Sequence, residues 1–463
     1  MIKQKIVHSL HKFVEKSSFS VRLRTDLAQL NKFLDSYSKI KSRNKFKTLM
    51  EFERKFPMYP KIHFIKAMEN FKDGKWEFKE NLDQYAKLRE EWILDNNLSA
   101  LNSEFLWPGL YLGAFGNHNQ IFSLLRAKRY GYRKRNLVGF YKSNQEFTNK
   151  SLMQYFMNEI ELIKIDQYPT ELFYQDLMVP NTFITQMDNL APYQTFGVNL
   201  LNQTELERNF ESVFTLTDEH NNNGIKFLSK FGFQESNGDW FVTLHLREPT
   251  FRHETINNTT ENFRNVSLQS YELAIEKIIE AGGWVVRVGD SRMTPMASRK
   301  NFIDYATSDT KSPELDIYFG AKCAFAITTS SGYRAVPTIF GKPQLQTNFL
   351  PGTHVYEGST DDVFILRDLI DKQSNSVIQI ADHINNPFYD LTKDSEYKAH
   401  NLIWRENSPE HLLEGTKYMI SKYINKIEPH IRFTALDNNK LNTEINAIHK
   451  YKPVLISTVL KNR

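Results

Sequence analysis

A single cysteine, Cys323, stands among 463 residues, so no disulfide can form within the chain and a reducing compartment is expected. No run of eighteen apolar residues occurs, which leaves no candidate transmembrane helix. The stretch MIKQKIVHSLHKFVEK at positions 1–16 has lysines but no continuous apolar core. No signal peptide is therefore expected, and a cytoplasmic location follows. No Asp-x-Asp pair follows an expected strand; the doublet Asp361-Asp362 begins a late segment with no third ligand nearby. Neither a metal nor another bound cofactor is expected. No segment is poor enough in apolar residues to read as disordered, since 40% of the chain is hydrophobic and 13% aromatic. A chain of this length exceeds one ordinary core, so two or three domains are expected.

What is present begins with charge. The net charge is +5, from 59 basic and 54 acidic residues. The excess lies within residues 1–48, where twelve Lys/Arg meet only Glu15, Asp26 and Asp35; the remainder is acidic on balance. Ile6, Val7, Leu10, Phe13 and Val14 form an apolar stripe at helical spacing, flanked by Lys3, Lys5, Lys12 and Lys16. Such a helix suits an anionic membrane surface, and it equally suits packing on its own domain. A peripheral contact of residues 1–20 with the inner face of the membrane is the sharper expectation. No basic stripe interleaved with aromatics occurs, so nucleic acid is not an expected partner.

Residues 1–103 read as helical, with one tetratricopeptide-like hairpin from Tyr59 to Leu88 that turns at Asp73-Gly74. Short apolar runs then alternate with amphipathic helices, the pattern of α/β domains. A first series, 104–235, has expected strands Leu110–Gly116, Asn136–Tyr141 and Leu162–Ile165, with helices Asn119–Gly131, Ser151–Glu161 and Asp218–Phe231. The stretch 170–215 is polar and weakly periodic. A second series, 236–400, has expected strands Trp240–Leu246, Trp284–Asp290, Phe302–Ala306, Ala324–Ser330 and Lys342–Asn348. Its expected helices start at Ser267 and Ser312, each a fair N-cap, and at Ser331. A tail, 401–463, carries a helix Ser408–Ile424 that is expected to cross back to the first sheet. The fold class is α/β: two Rossmann-like domains with a cleft between them, preceded by a helical region.

Ligands of open parallel sheets sit at the carboxyl ends of the strands, so the residues there are the candidates. After the first expected strand, Gly113 and Gly116 allow a tight turn and His118 precedes a helix. His118 is a candidate base, or a turn histidine capping that helix. After Phe241–Leu246 stand His245, Arg247 and Glu248. A guanidinium there can grip a diphosphate with paired hydrogen bonds. Glu248 is a base or the partner that holds Arg247, and the buried look of the strand favours function over a surface ion pair. Arg287 lies inside the next strand, with Asp290 and Ser291 just past it. Thr329, Ser330, Ser331 and Gly332 precede a helix, so free amides and hydroxyls offer a phosphate seat. Glu314 and Asp316 are candidates for ribose hydroxyls, or solvated helix acids. Together these residues point to a bound nucleoside diphosphate.

The motifs HLREP (His245–Pro249), FRN (Phe263–Asn265), AGGWVVRVGD (Ala281–Asp290), FIDYA (Phe302–Ala306), Glu314–Gly332 and IFGKP (Ile339–Pro343), in this order, resemble a group of bacterial glycosyltransferases associated with surface polysaccharides. The resemblance covers about residues 240–351. It implies a two-Rossmann-domain (GT-B-like) enzyme that uses a nucleotide-sugar donor and a glycan or lipid-linked glycan acceptor. The His-x-Arg element is similar to that of fucosyltransferase-type enzymes, which implies that Arg247 holds the leaving pyrophosphate. The loop at Gly113–His118 is similar to the first loop of two-domain nucleotide-sugar transferases, which implies a base role for His118. No arginine follows Arg247, a departure from the fucosyltransferase pattern that argues against GDP-fucose. The expected activity is metal-independent glycosyl transfer. Its rivals are an inactive nucleotide- or glycan-binding scaffold, a non-glycosyl transferase of cell-surface sugars, and a helical-repeat adaptor.

Overall fold

A computed structural model describes residues 42–57, single residues between 62 and 91, residues 103–166 apart from 107, 114 and 130–135, the pair 178–179, and residues 214–249, 261–350, 362–378 and 393–427. The helix expected near residues 1–20, most of the Tyr59–Leu88 hairpin and most of the 170–215 stretch lie outside these. Within the N-terminal region a helix spans Ser42–Lys55. No helix among the described residues is long and apolar enough to cross a membrane. The chain divides into two compact units.

The first unit holds the described residues of Met1–Gly113, Ser123–Thr148 and Met153–Gly197. Four parallel strands, β1 (Ser103–Leu106), β2 (Asn136–Tyr141), β3 (Glu161–Lys164) and β4 (Met178–Val179), lie in the order β3-β2-β1-β4. Strand β2 matches the expected NLVGFY and is buried over Leu137–Phe140, as a strand covered on both faces should be. The strand expected at Leu110–Gly116 is not one. It is a helical turn, Gly109–Leu112, followed by a 3₁₀ turn, Phe115–Asn117, and the strand lies upstream at β1. Pro108, at φ −56° and ψ −30°, starts that turn; it has no N–H to give a ladder. The run around it is apolar throughout, so periodicity does not separate strand from turn.

The second unit holds the described residues of Ala114–Phe122, Asn149–Leu152 and Val198–Arg463. Its main sheet has six parallel strands: β5 (Phe241–His245), β6 (Trp284–Val288), β7 (Phe302–Asp304), β8 (Phe325–Thr328), β9 (Gln344–Phe349) and β10 (Val363–Leu366). They lie in the order β10-β9-β8-β5-β6-β7. The chain enters at the centre, winds out to β7, and returns to wind the other way from β8. This is the doubly wound order, with its switch point between β5 and β8. A small antiparallel sheet of β11 (Asp368–Asp371), β12 (Ser376–Ile378) and β13 (Leu402–Arg405) follows, in the order β12-β11-β13.

Several helices differ from expectation. Helix Pro409–Tyr423 packs within the second unit: Leu412, Tyr418, Met419 and Ile420 share one core with Val242, Leu244, Ile275 and Leu345. Residues 402–423 are thus part of the second unit rather than a separate tail. Ser267 caps a 3₁₀ turn, Leu268–Tyr271, without a side-chain capping bond, and the α-helix begins at Glu272. Ser312 does cap its helix, accepting from the Leu315 amide. The helix expected from Ser331 shrinks to a 3₁₀ turn, Gly332–Arg334, and five residues, Ala335–Ile339. Pro337 removes a backbone donor within it, and Gly341, at φ +67°, ends it.

Helix Asp218–Ser229, expected in the first domain, packs in the second unit on helix Pro313–Lys322. A Cβ on Gly224 would fall 2.2 Å from Tyr318 Cγ, so only glycine lets the two helices meet there. Gly224→Ala should destabilise the fold by about 1–3 kcal/mol, the usual cost of overpacking. Urea unfolding measures it; a variant as stable as the parent would show that this contact is loose.

Candidate functional site

The switch point makes a specific claim: residues just past β5 and just past β8 should face one another. They do. The Arg247 amide donates to Thr329 Oγ1 at 3.1 Å, and Ser331 Oγ meets His245 Nδ1 at 3.0 Å. The His245 ring stacks on Tyr333, with centroids 5.3 Å apart and planes 7° from parallel. Burial, reinforced by Arg287, pushes the His245 imidazole down to about 3. It is therefore neutral at ordinary pH and serves as a hydrogen-bonding group rather than a proton acceptor.

Arg247 is buried and already engaged. Its Nη1 donates to the Glu261 carbonyl at 3.1 Å and also to Asn265 Oδ1, and its Nη2 reaches Glu261 Oε2 at 3.2 Å. Arg264 shares the same carboxylate: its Nη1 lies 2.7 Å from Glu261 Oε2. The rest of the Arg264 guanidinium grips the Ser330 carbonyl, from Nε at 3.0 Å and from Nη2 at 2.7 Å. The two guanidiniums thus share the Glu261 carboxylate, while that of Arg264 rests on the hydroxyl-bearing loop Thr329–Ser331 at the switch point and Arg247 touches the loop through its backbone amide. Ser330 Oγ is buried there and has no hydrogen-bond partner among the described residues.

Glu248 departs from both expectations for it. It neither holds Arg247 nor stands free as a base. Oε1 accepts from Arg287 Nη2 at 2.5 Å, and Oε2 accepts from the Thr294 amide at 3.1 Å. Arg287, expected to bind donor, has no exposed surface. Its Nη1 donates to Asp304 Oδ1 and Oδ2 at 3.0 and 3.1 Å and to the Thr294 carbonyl at 2.9 Å. Asp304 Oδ2 in turn accepts from the Met296 amide at 2.8 Å. The Arg287 cluster is a buried clamp on the loop after β6. Successive side chains of a strand alternate in facing, but that periodicity cannot tell a ligand face from a buried ionic one.

The remaining candidates divide. Asp290 pairs with Arg292, which holds its carboxyl below the usual range, and Ser291 is exposed beside it. Glu314 accepts from Asn223 Nδ2 of the neighbouring helix at 3.1 Å. Asp316 lies nearer the switch point: its carbonyl accepts from Tyr333 OH at 2.7 Å. Burial raises its carboxyl pKa against the pull of Lys311, whose Nζ is 3.5 Å away. Gly332 does not open a path for an anion; a Cβ there would fall 2.8 Å from the Gly116 amide nitrogen. The two glycines instead let the 3₁₀ turns Phe115–Asn117 and Gly332–Arg334 touch. Gly113 has an extended backbone, φ −90°, that any residue adopts. His118 opens helix His118–Arg129, is fully buried, and gives Nδ1 to the Phe115 carbonyl at 3.1 Å. That is the arrangement of a turn histidine. The Phe115 ring bridges His118 and Tyr333, with centroids 6.0 and 6.2 Å away.

Arg264, Glu261, Lys311, Tyr333 and Arg367 were not among the expected site residues. Arg367 carried a legible signal, since it follows the end of an apolar run as Arg247 does. Arg264 lay inside the FRN motif. Lys311 had none, because its amine reaches the Gly289 carbonyl, at 2.6 Å, only in the folded chain.

No protein-family model and no curated protein matches the chain. Among the solved structures similar to it are two glycosyltransferases. The glycosyl transferase family 9 from Veillonella parvula DSM 2008 aligns with TM-score 0.41 and 11% identity, over 69% of this chain and 96% of that one. The E. coli ADP-heptose lps heptosyltransferase II aligns with TM-score 0.33 and 11% identity, over 57% of this chain and 90% of that one.

Two outcomes follow from the clamp and the histidine. Glu248→Gln should cost about 1–3 kcal/mol in urea unfolding, because it removes one of the two carboxylates that match the buried Arg287 charge; a base would lose rate without losing stability. For His245 the unfolded chain takes up a proton near 6.5 and the folded chain only near 3. The stability from its neutral form is complete above pH 6.5 and drains as pH falls towards 3. His245→Gln should flatten that part of the stability curve, and an unaltered slope would contradict the assignment.

Proposed function

We propose that the protein is a metal-independent glycosyltransferase that binds a nucleotide-sugar donor at the carboxyl end of the second sheet. The transferred sugar goes to a glycan or other surface-polysaccharide acceptor. The observation that carries this reading is the pairing of the Arg247 and Arg264 guanidiniums on Glu261 beside the β5/β8 switch point, where Arg264 grips the Ser330 carbonyl and the Arg247 amide holds Thr329. Doubly wound sheets bind nucleotide ligands at that place, and paired guanidiniums suit a diphosphate. The motif resemblance points to the same activity.

In the proposed reaction an acceptor hydroxyl oxygen bonds to the anomeric carbon as the bond from that carbon to the diphosphate oxygen breaks. The bonding pair leaves with the nucleoside diphosphate, and the acceptor proton passes to a base. Charge therefore grows on the leaving diphosphate, and fixed cations stabilise it most as it forms. Arg247 and Arg264 would do this by exchanging Glu261 for the phosphate oxygens. Glu248 and His118 are not assigned the base role, the first because both its oxygens are taken and the second because it has no exposed surface.

One observation favours a second reading, a binding scaffold without turnover: both arginines already share a carboxylate of their own chain. A panel of nucleotide sugars separates the two, because a scaffold binds and releases donor unchanged. UDP, GDP, CDP and CMP should be screened by thermal shift, where a specific nucleotide raises Tm by mass action. Arg247→Ala should abolish that shift and lower transfer by about a hundred- to a thousandfold, with the fold retained. Near-parental turnover in this variant would refute the assignment of Arg247.

A further inference from the structure

Arg367, which follows β10 directly, is 5% exposed and spends all three guanidinium nitrogens inside the protein. Nη1 donates to the Phe263 carbonyl, Nη2 to the Asn265 carbonyl at 2.7 Å, and Nε to Asn348 Oδ1 at 3.2 Å. The two carbonyls belong to the neighbours of Arg264 on either side. A fork that holds residues 263 and 265 by their backbones fixes where residue 264 points, and it points to Ser330. Asp394, at the start of helix Asp394–Ala399, fastens the same turn from its other end. Its Oδ2 accepts from the Asn262 amide at 2.7 Å and its Oδ1 from the Phe263 amide at 3.1 Å.

The anchorage beneath Arg367 is rigid. Asn348, in the left-handed region at φ +49°, receives Arg367 Nε on an oxygen that also accepts from the Asn407 amide at 2.8 Å. Its own amide gives to Asn407 Oδ1 at 2.6 Å, and its Nδ2 gives to Tyr271 OH at 2.9 Å. Glu406, 3.5 Å from Nη2, supplies the counter-charge. Burying a guanidinium is costly unless it is both paired and hydrogen-bonded, and here it is both. Each nitrogen of Arg367 is bonded within the protein, and it stands at the same sheet end as Arg247 and Arg264.

We infer that Arg367 is a positioning residue for the anion seat, assisted by Asp394. It holds the turn Glu261–Asn265 so that Arg264 reaches Ser330 and Glu261 reaches Arg247. The link to ligand binding rests on the function proposed above; the ordering of the turn does not. Lysine cannot replace it, because a single ammonium does not span three acceptors in one plane.

The test uses the full chain and two conservative variants, Arg367→Lys and Asp394→Asn, the second in case the first fails to fold. Hydrogen–deuterium exchange reads the turn directly. The amides of Arg264, Asn265 and Val266, bonded to Glu261, Asn262 and Arg247 carbonyls, should exchange faster in either variant while β5 and β9 stay protected. Unchanged exchange over residues 262–266 would overturn the inference. Calorimetric titration with inorganic pyrophosphate and with UDP and GDP reads the seat. Either variant should weaken binding by about tenfold, the scale of one lost charge-assisted bond. Adding Arg367→Lys to Arg264→Met should then cost less than the sum of the two single changes, because Arg367 acts in part through Arg264. Full additivity, or parental affinity in a variant with a loosened turn, would overturn the role in the seat. If the parent bound none of the three probes while exchange rose as expected, the positioning of the turn would stand and the glycosyltransferase reading would fall.

Discussion

A guanidinium removed from water must be met by acceptors and by a counter-charge, and this requirement organises the carboxyl end of the second sheet. Three buried or half-buried arginines there, Arg247, Arg264 and Arg367, are met by the same short turn, Glu261–Asn265. The turn supplies carbonyls to Arg367 and to Arg247, and one carboxylate to Arg247 and Arg264. It is the piece through which β5, β8 and β10 are tied at their ends. Arg287, at the end of β6, meets the same requirement separately through Glu248 and Asp304.

This arrangement makes the difference between a structural and a ligand-facing arginine a matter of what each is paired with. Arg287 is matched by two carboxylates with little or no exposure, and its nitrogens cannot be released without stranding them. Arg247 and Arg264 lean on Glu261, whose side chain is 36% exposed. A carboxylate at the surface keeps much of its hydration when displaced, so a phosphate can take its place at small cost. The same logic separates the hydroxyls. Those of Thr329 and Ser331 are used within the protein, on the Arg247 amide and on His245, and they hold the loop in shape.

Much of the second unit was legible because its strands are short, buried on both faces and separated by turn residues. Strands β5, β6 and β8 fall within their expected ranges, and Gly282, at φ +83°, ends the preceding helix as expected. The first strand was not legible, since Phe105–Leu112 is apolar on both sides of Pro108 and the register depends on where the proline falls in the fold. The helix after Ser331 was overestimated for a related reason: Pro337 passed as a helix residue in a sequence where its missing donor had no visible consequence.

The sequence by itself determined the α/β class, the parallel order of alternation and the placing of charged and hydroxyl residues at strand ends, because these depend on local periodicity and on turn chemistry. It did not determine which opposite charge each arginine meets. His245-Leu-Arg247-Glu248 suggests a local Arg247–Glu248 pair, whereas the partners come from positions 261 and 287. Only the tertiary structure decided this, because a buried ion takes the counter-charge that the packing brings within hydrogen-bond reach, and distance along the chain does not enter that choice.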